Sequence, residues 1–145
     1  MIQGIIKTNQ KIIAADSGSI MHVIKKSDNG YINFGEVYFS TVNKNSIKAW
    51  KLHKRMTLNL TVPVGKVLFC FFDKRKGSRT FNKKYKIILS QDPYLRLTVP
   101  PGIWFGFKGL SNGLNLVCNV ADFDHDPKEV LRKKIDEIKI DWSIK

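Results

Sequence analysis

The chain has 145 residues, 43% hydrophobic and 26% charged; this suits one soluble domain spanning 1–145 and excludes a disordered chain or a two-domain enzyme. Its 25 lysines and arginines against 12 acidic residues give a formal charge of +13, which points to an anionic partner unless the excess is only a lysine-rich compositional bias. The longest apolar run, Val67 to Phe72, falls far short of the roughly 20 residues that cross a bilayer, so no membrane is expected. The first residues carry no secretory pattern, so a cytoplasmic protein is expected.

Along the chain, turn signals recur every eight to twelve residues or so, the rhythm of an all-β sandwich or barrel. They fall at Ser17-Gly18-Ser19, Asp28-Asn29-Gly30, Asn43-Lys44-Asn45, Pro63-Val64-Gly65, Lys76-Gly77-Ser78, Pro100-Pro101-Gly102 and Ser111-Asn112-Gly113. Between them lie β-branched and aromatic runs at Glu36 to Val42, Ile47 to His53, Leu58 to Val62 and Val67 to Asp73. Further runs follow at Lys86 to Leu89, Leu95 to Val99, Ile103 to Phe107 and Leu114 to Val120, so about eight strands are expected. Leu58, Leu60 and Val62 alternate with Asn59 and Thr61, and Leu95, Leu97 and Val99 with Arg96 and Thr98; one face of each strand should look inward.

The tail reads differently. Asp126-Pro127-Lys128-Glu129 carries a capping carboxylate, a proline at the first helical position and an acidic first turn. Leu131, Ile135 and Ile138 then follow at helical spacing, which predicts one short C-terminal helix packed on the β core and a last strand near Ile138 to Trp142. Cys70 and Cys118 both sit in apolar runs and read as buried reduced thiols rather than a disulfide.

Chemistry-bearing motifs are few. The histidines are His22, His53 and His125, with no His-x-His pair, zinc-type cysteine pair, phosphate-binding glycine loop or dinucleotide fingerprint; no metal and no cofactor are expected. His53 ends a strand-like run, and period-two spacing puts Lys51, His53 and Arg55 on one side. That face is either a solvated basic edge or the lining of a pocket for something negative. In a pocket, His53 can act as a general base once a carboxylate orients its ring, and Asp73, Asp122 and Asp126 are the candidates, Asp126 competing with its role as helix cap.

From Asp16 to Trp142 the chain resembles the sugar-nucleotide 3,5-epimerases that act on dTDP-4-dehydro-6-deoxyglucose, enzymes of the cupin fold. The residues that carry the likeness are Leu52-His53, the segment Asp73-Lys74-Arg75-Lys76-Gly77-Ser78-Arg79-Thr80-Phe81, and Val99-Pro100-Pro101-Gly102 followed by Gly106-Phe107. Weaker echoes are Asp16-Ser17-Gly18-Ser19 and Ile140-Asp141-Trp142. The resemblance implies an all-β, cupin-type double-stranded β-helix or jelly roll, and a homodimer whose N-terminal strands cross between subunits. It also implies that His53 removes the proton beside a ketone, that an aspartate such as Asp73 supports it, and that an acid returns a proton on the other face.

The departures fall in the same region. Trp50 and Lys51 stand where the family has arginine and glycine, Leu58 replaces its lysine and Phe105 its second histidine. The acid tyrosine falls on or near Cys118, with Phe123 where a further aromatic hydroxyl belongs; Cys118 or Tyr38 is left as the candidate donor. Lys51, Arg55, Arg75 and Arg79 are the candidates for the diphosphate, with Asn59, Trp50 and Phe105 as further substrate contacts.

The leading expectation is a cofactor-free epimerase or isomerase of a nucleotide-linked 4-keto-6-deoxy sugar, most simply dTDP-linked, in polysaccharide or O-antigen biosynthesis. The alternative is a non-catalytic cupin that binds a sugar or nucleotide sugar within a carbohydrate-assembly pathway. A third reading, a nucleic-acid barrel stacking bases on Trp50, Phe69, Phe71 and Trp104, is disfavoured because strand aromatics usually build the core.

Overall fold

In the computed structural model, which describes residues 1–144, the eight expected strands all form. They are β4 (Glu36–Thr41), β5 (Ile47–His53), β6 (Leu58–Val64), β7 (Lys66–Asp73), β8 (Lys84–Ser90), β9 (Leu95–Val99), β10 (Ile103–Gly109) and β11 (Leu116–Ala121). Three N-terminal strands that the sequence reading did not anticipate precede them: β1 (Ile6–Asn9), β2 (Ile12–Ala15) and β3 (Gly18–Met21). The turn is at Asp16-Ser17, so Gly18 and Ser19 belong to β3.

Two antiparallel sheets, in the orders β1-β9-β6-β11-β4 and β12-β5-β10-β7-β8, where β12 is the short strand Val130–Arg132, form the jelly roll, with β2 and β3 as a separate hairpin. Side-chain alternation drives the two layers together. Leu58, Leu60 and Val62 of β6 and Leu95, Leu97 and Val99 of β9 join Phe69 and Phe71 of β7 and Phe105 and Phe107 of β10 in one buried cluster. Each fully buried aromatic or aliphatic side chain there contributes roughly 2 kcal/mol.

The polar face of β9 is buried as well, because the segment after β3 lies across it. Arg96 is 0% exposed and donates to Asp28 Oδ2 (2.9 Å), Val23 O (3.1 Å) and Asn29 O (2.7 Å). Gly30 permits the close approach: a Cβ there would stand 2.3 Å from Thr98 Oγ1, and its φ of +93° disfavours other residues.

The C-terminal helix does not form. Asp126 caps a single 3-10 turn, Pro127–Glu129, through Lys128 N–H (2.9 Å). The chain then becomes β12 (Val130–Arg132), whose residues pair with His53, Leu52 and Lys51. A second 3-10 turn occupies Ile135–Glu137. The helical spacing misled because Leu131 and Ile135 are 43% and 45% exposed; only Ile138 is buried. Pairing with the edge of β5 outweighed local helix preference.

No strand forms at Ile138 to Trp142. That stretch lies over the outside of the second sheet, where Trp142 packs on Trp50 at 5.2 Å. Lysines from the sheet hold its carbonyls: Lys86 reaches Asp141 O and Ser143 O, each at 3.0 Å, and Lys108 reaches Trp142 O at 3.3 Å. Cys70 and Cys118 are free and buried.

Candidate active site

Strand β5 sets the geometry. Trp50 and Leu52 point outward into the cluster under the C-terminal tail, which leaves Lys51 and His53 on the inner face. Arg55 lies past the strand end, exposed, with its guanidinium 3.3 Å from Asp126 and 5.3 Å from the centre of the Phe123 ring. The expected trio therefore reduces to Lys51 and His53.

His53 is 7% exposed, recessed beside Phe105, whose ring stacks on the imidazole at 5.9 Å. Its Nδ1 is hydrogen-bonded to Glu129 Oε1. The other oxygen, Oε2, accepts the backbone N–H groups of Arg55 (3.0 Å) and Met56 (3.3 Å). Burial pushes the Glu129 carboxyl up, but His53 and the two N–H donors outweigh it and hold the group below the usual range. An ionised carboxylate only accepts, which assigns the hydrogen of the neutral ring to Nδ1. Nε2 then presents a lone pair, and no hydrogen bond occupies it among the described residues.

The orienting carboxylate is thus Glu129, and none of the three expected aspartates. Asp73 accepts from Arg75 N (3.0 Å), Arg75 Nε (2.9 Å), Arg75 Nη2 (2.8 Å), Ser78 Oγ (2.6 Å) and Thr80 Oγ1 (2.7 Å). Asp122 caps Thr57 N (2.7 Å), and Asp126 caps the 3-10 turn. Glu129 escaped notice because its motif read as the first turn of a helix.

Next to Phe105 a cavity of about 70 Å³ opens between the sheets, lined by Tyr38, Ser40, Lys48, Lys51 and Asn119 and otherwise by apolar groups. A shift in the β5–β10 register, where Phe105 pairs with Lys51 and Phe107 with Lys48, lets both lysines face it. Lys48 is engaged by Thr41 O at 2.6 Å. Burial, together with the charges of Arg132 and Lys48, pushes the Lys51 ammonium below its ordinary value. The Tyr38 hydroxyl accepts from Asn119 Nδ2 at 3.0 Å. Burial raises it despite that bond, and the charges of Glu36 and Glu129 add to the rise, so the phenol keeps its proton and can donate it in a hydrogen bond. A second, wider hollow of about 320 Å³ shares Tyr38 and Lys51 and adds Glu36 and His125.

From the sequence-predicted set the structure places Lys51, Tyr38 and Phe105 around the cavity, with His53 stacked on Phe105, and sends the others elsewhere. Asn59 faces away from the cavity, donating to Gly30 O (3.2 Å) and accepting from Thr98 Oγ1 (2.7 Å). Cys118 sits on the opposite face of β11 from Asn119, paired with Thr61 and Phe39; burial pushes its thiol up. Trp50 is 1% exposed under the tail. Arg75 is taken by Asp73, and Arg79 is an exposed loop residue whose N–H donates to Gln3 Oε1 (2.7 Å).

Comparison with known proteins bears on the family and the fold. The family model of dTDP-4-dehydrorhamnose 3,5-epimerase matches residues 2–145. A dTDP sugar isomerase from Desulfovibrio desulfuricans G20 is 32% identical, with a TM-score of 0.90 over 93% of this chain and 87% of its own. A dTDP-6-deoxy-D-glucose-3,5-epimerase of Legionella pneumophila, in complex with dTDP-4-keto-L-rhamnose, is 20% identical with a TM-score of 0.83 over 97% and 79% of the two chains. The spore coat polysaccharide biosynthesis protein SpsL of Bacillus subtilis is 21% identical over 135 residues, covering 93% of this chain and 89% of that protein.

Proposed function

The chain belongs to the dTDP-4-dehydrorhamnose 3,5-epimerase family, and from that premise we propose that it is a cofactor-free epimerase or isomerase of a dTDP-linked 4-keto-6-deoxy sugar, serving polysaccharide biosynthesis. One observation carries the reading: an imidazole held through Nδ1 by a buried carboxylate, its Nε2 unoccupied, stacked on Phe105, whose ring lines a cavity with a cation and a protonated phenol on its wall. In the mechanism, Nε2 of His53 takes the proton from the carbon next to the ketone. Glu129 holds the ring and stabilises the imidazolium that forms. The electron pair moves onto the ketone oxygen, where Lys51 and the Tyr38 hydroxyl, positioned by Asn119, stabilise the enolate. The bound keto sugar of the Legionella relative and the polysaccharide pathway of SpsL support the substrate class and the pathway. The exposed Arg55, just past the end of β5, is the cation assigned to the diphosphate.

Replacement of His53 by Asn tests this. Deuterium uptake from heavy water into dTDP-4-keto-6-deoxyglucose, followed by NMR, is expected to fall about 10³-fold while dTDP affinity stays within about twofold; undiminished uptake removes His53 as the base. The recessed position of His53 favours one second reading, a nucleotide-sugar binder without turnover. It is selected if the unaltered protein is stabilised by dTDP yet exchanges no substrate proton.

A homodimer is part of the proposal. The β2–β3 hairpin exposes Ile12, Ile13 and Ile20 at 38–63%, and Phe34, Val37 and Phe39 are exposed on and beside the edge strand β4. A two-stranded hairpin is marginal by itself, and a second copy covering these surfaces explains both. The free buried thiols Cys70 and Cys118 suit a reducing compartment, the cytoplasm.

A further inference from the structure

Inverting a carbon requires a proton to leave one face and another to arrive on the opposite face. His53 and Lys51 both stand on β5, in the second sheet, so neither serves the far side of a ring lying between the sheets. Cys118, on the outer face of β11, does not reach the cavity. Three titratable groups remain on the far side: Glu36 and Tyr38 of β4, the Tyr38 hydroxyl being tied to Asn119, and His125, on the loop leaving β11, the partner strand of β4.

His125 is exposed and lines the wider hollow with Glu36, Tyr38 and Lys51. That hollow shares Tyr38 and Lys51 with the inner cavity. An inner volume of about 70 Å³ is too small for a hexose ring, so a sugar reaching the inner residues must extend outward past His125. Imidazole is the side chain that both carries and releases protons near neutral pH. The charged groups around it are Glu36 from β4, Lys51 from β5, and Asp124 and Asp126 on its own loop, the last of these engaged by Arg55 and the 3-10 turn.

We infer that His125 is the second proton-transfer residue, delivering a proton to the face of the sugar opposite His53. The inference rests on the proposed function and assigns a residue that neither the motifs nor the resemblance singled out. The step balances. His53 Nε2 takes the C–H proton and the electron pair enters the enolate. The enolate carbon then takes the N–H proton of the His125 imidazolium as the C=O reforms, and water resets both rings.

Replacing His125 by Asn and by Phe separates the two half-reactions, with dTDP-4-keto-6-deoxyglucose in heavy water as the probe. Formation of inverted product is expected to fall about 10²-fold, while deuterium uptake into substrate of unchanged configuration stays within about threefold of the unaltered protein. Because the side chain is exposed, melting temperatures should hold, which removes misfolding as an explanation. Inversion that persists, or that falls together with uptake, overturns the role of His125, as does a Tyr38→Phe variant that loses inversion while keeping its deuterium uptake. Absence of uptake in the unaltered protein instead overturns the His53 reading, and this inference with it.

Discussion

Two buried carboxylates, Asp73 and Glu129, show how similar ingredients serve different ends. Asp73, 0% exposed, collects donors from Arg75, Ser78 and Thr80 until its acceptor capacity is used within one loop. Arg75 and Thr80 then anchor the N-terminal segment, through Arg75 Nη2 to Gln3 O (2.5 Å) and Gln3 N–H to Thr80 Oγ1 (2.9 Å). Glu129 instead spends one oxygen on backbone N–H groups and the other on His53, whose far nitrogen stays unbonded among the described residues. A saturated cluster holds the fold. A cluster that ends in an unfilled lone pair beside a cavity can react.

The comparison breaks first at Glu129. Glutamine offers one acceptor and one donor where both oxygens now accept, so either His53 or the Arg55–Met56 backbone loses its partner. In Glu129→Gln, substrate deuterium uptake is expected to drop about 10²-fold, against a stability loss of about 1 kcal/mol. Both are measurable, by NMR and by denaturant unfolding. An effect on stability alone would reduce Glu129 to a structural residue like Asp73.

Asp73→Asn should do the reverse. Breaking a buried ion pair costs about 3–5 kcal/mol, and because the Arg75 side chain is 27% exposed about 2 kcal/mol is the better expectation. Uptake per folded molecule should stay within about threefold. Acid sharpens the contrast. Burial raises the Asp73 carboxyl, but the bonds from Arg75, Ser78 and Thr80 prevail and depress it far below its ordinary value. A carboxylate depressed in the fold contributes its full stability above the unfolded pKa of about 4, and loses it as pH falls toward the folded value. The melting temperature of the unaltered protein should therefore fall more steeply below pH 4 than that of Asp73→Asn; parallel curves would contradict the assignment.

The strands from Glu36 to Val120 were legible because alternation and turn chemistry agreed along them. Strands β2 and β3 were not, because Ile12, Ile13 and Ile20 are exposed and carry no inward face to mark the period. At the tail, the capping pattern of Asp126 and Pro127 was genuine but served one 3-10 turn. That turn delivers Glu129 to His53, and this is a pairing between residues 76 apart. No local pattern encodes so distant a contact. His53 and Lys51 were found because strand phase alone places them.

Phase also decides the smallest effect. A shift of one residue in a strand exchanges its faces, so an acid sought on or near Cys118 is displaced from the cavity by a single position: Asn119 faces inward and bonds Tyr38, and Cys118 faces Thr61. Cys118→Ala deletes one sulfur from a site 4% exposed and is expected to cost about 1 kcal/mol. Deuterium uptake and inversion should both remain within about twofold of the unaltered protein, because the thiol is separated from the substrate by the sheet itself. A tenfold loss in either would mean that β11 presents its other face to the cavity, and the placement of Asn119, Tyr38 and His125 would have to be redrawn from that register.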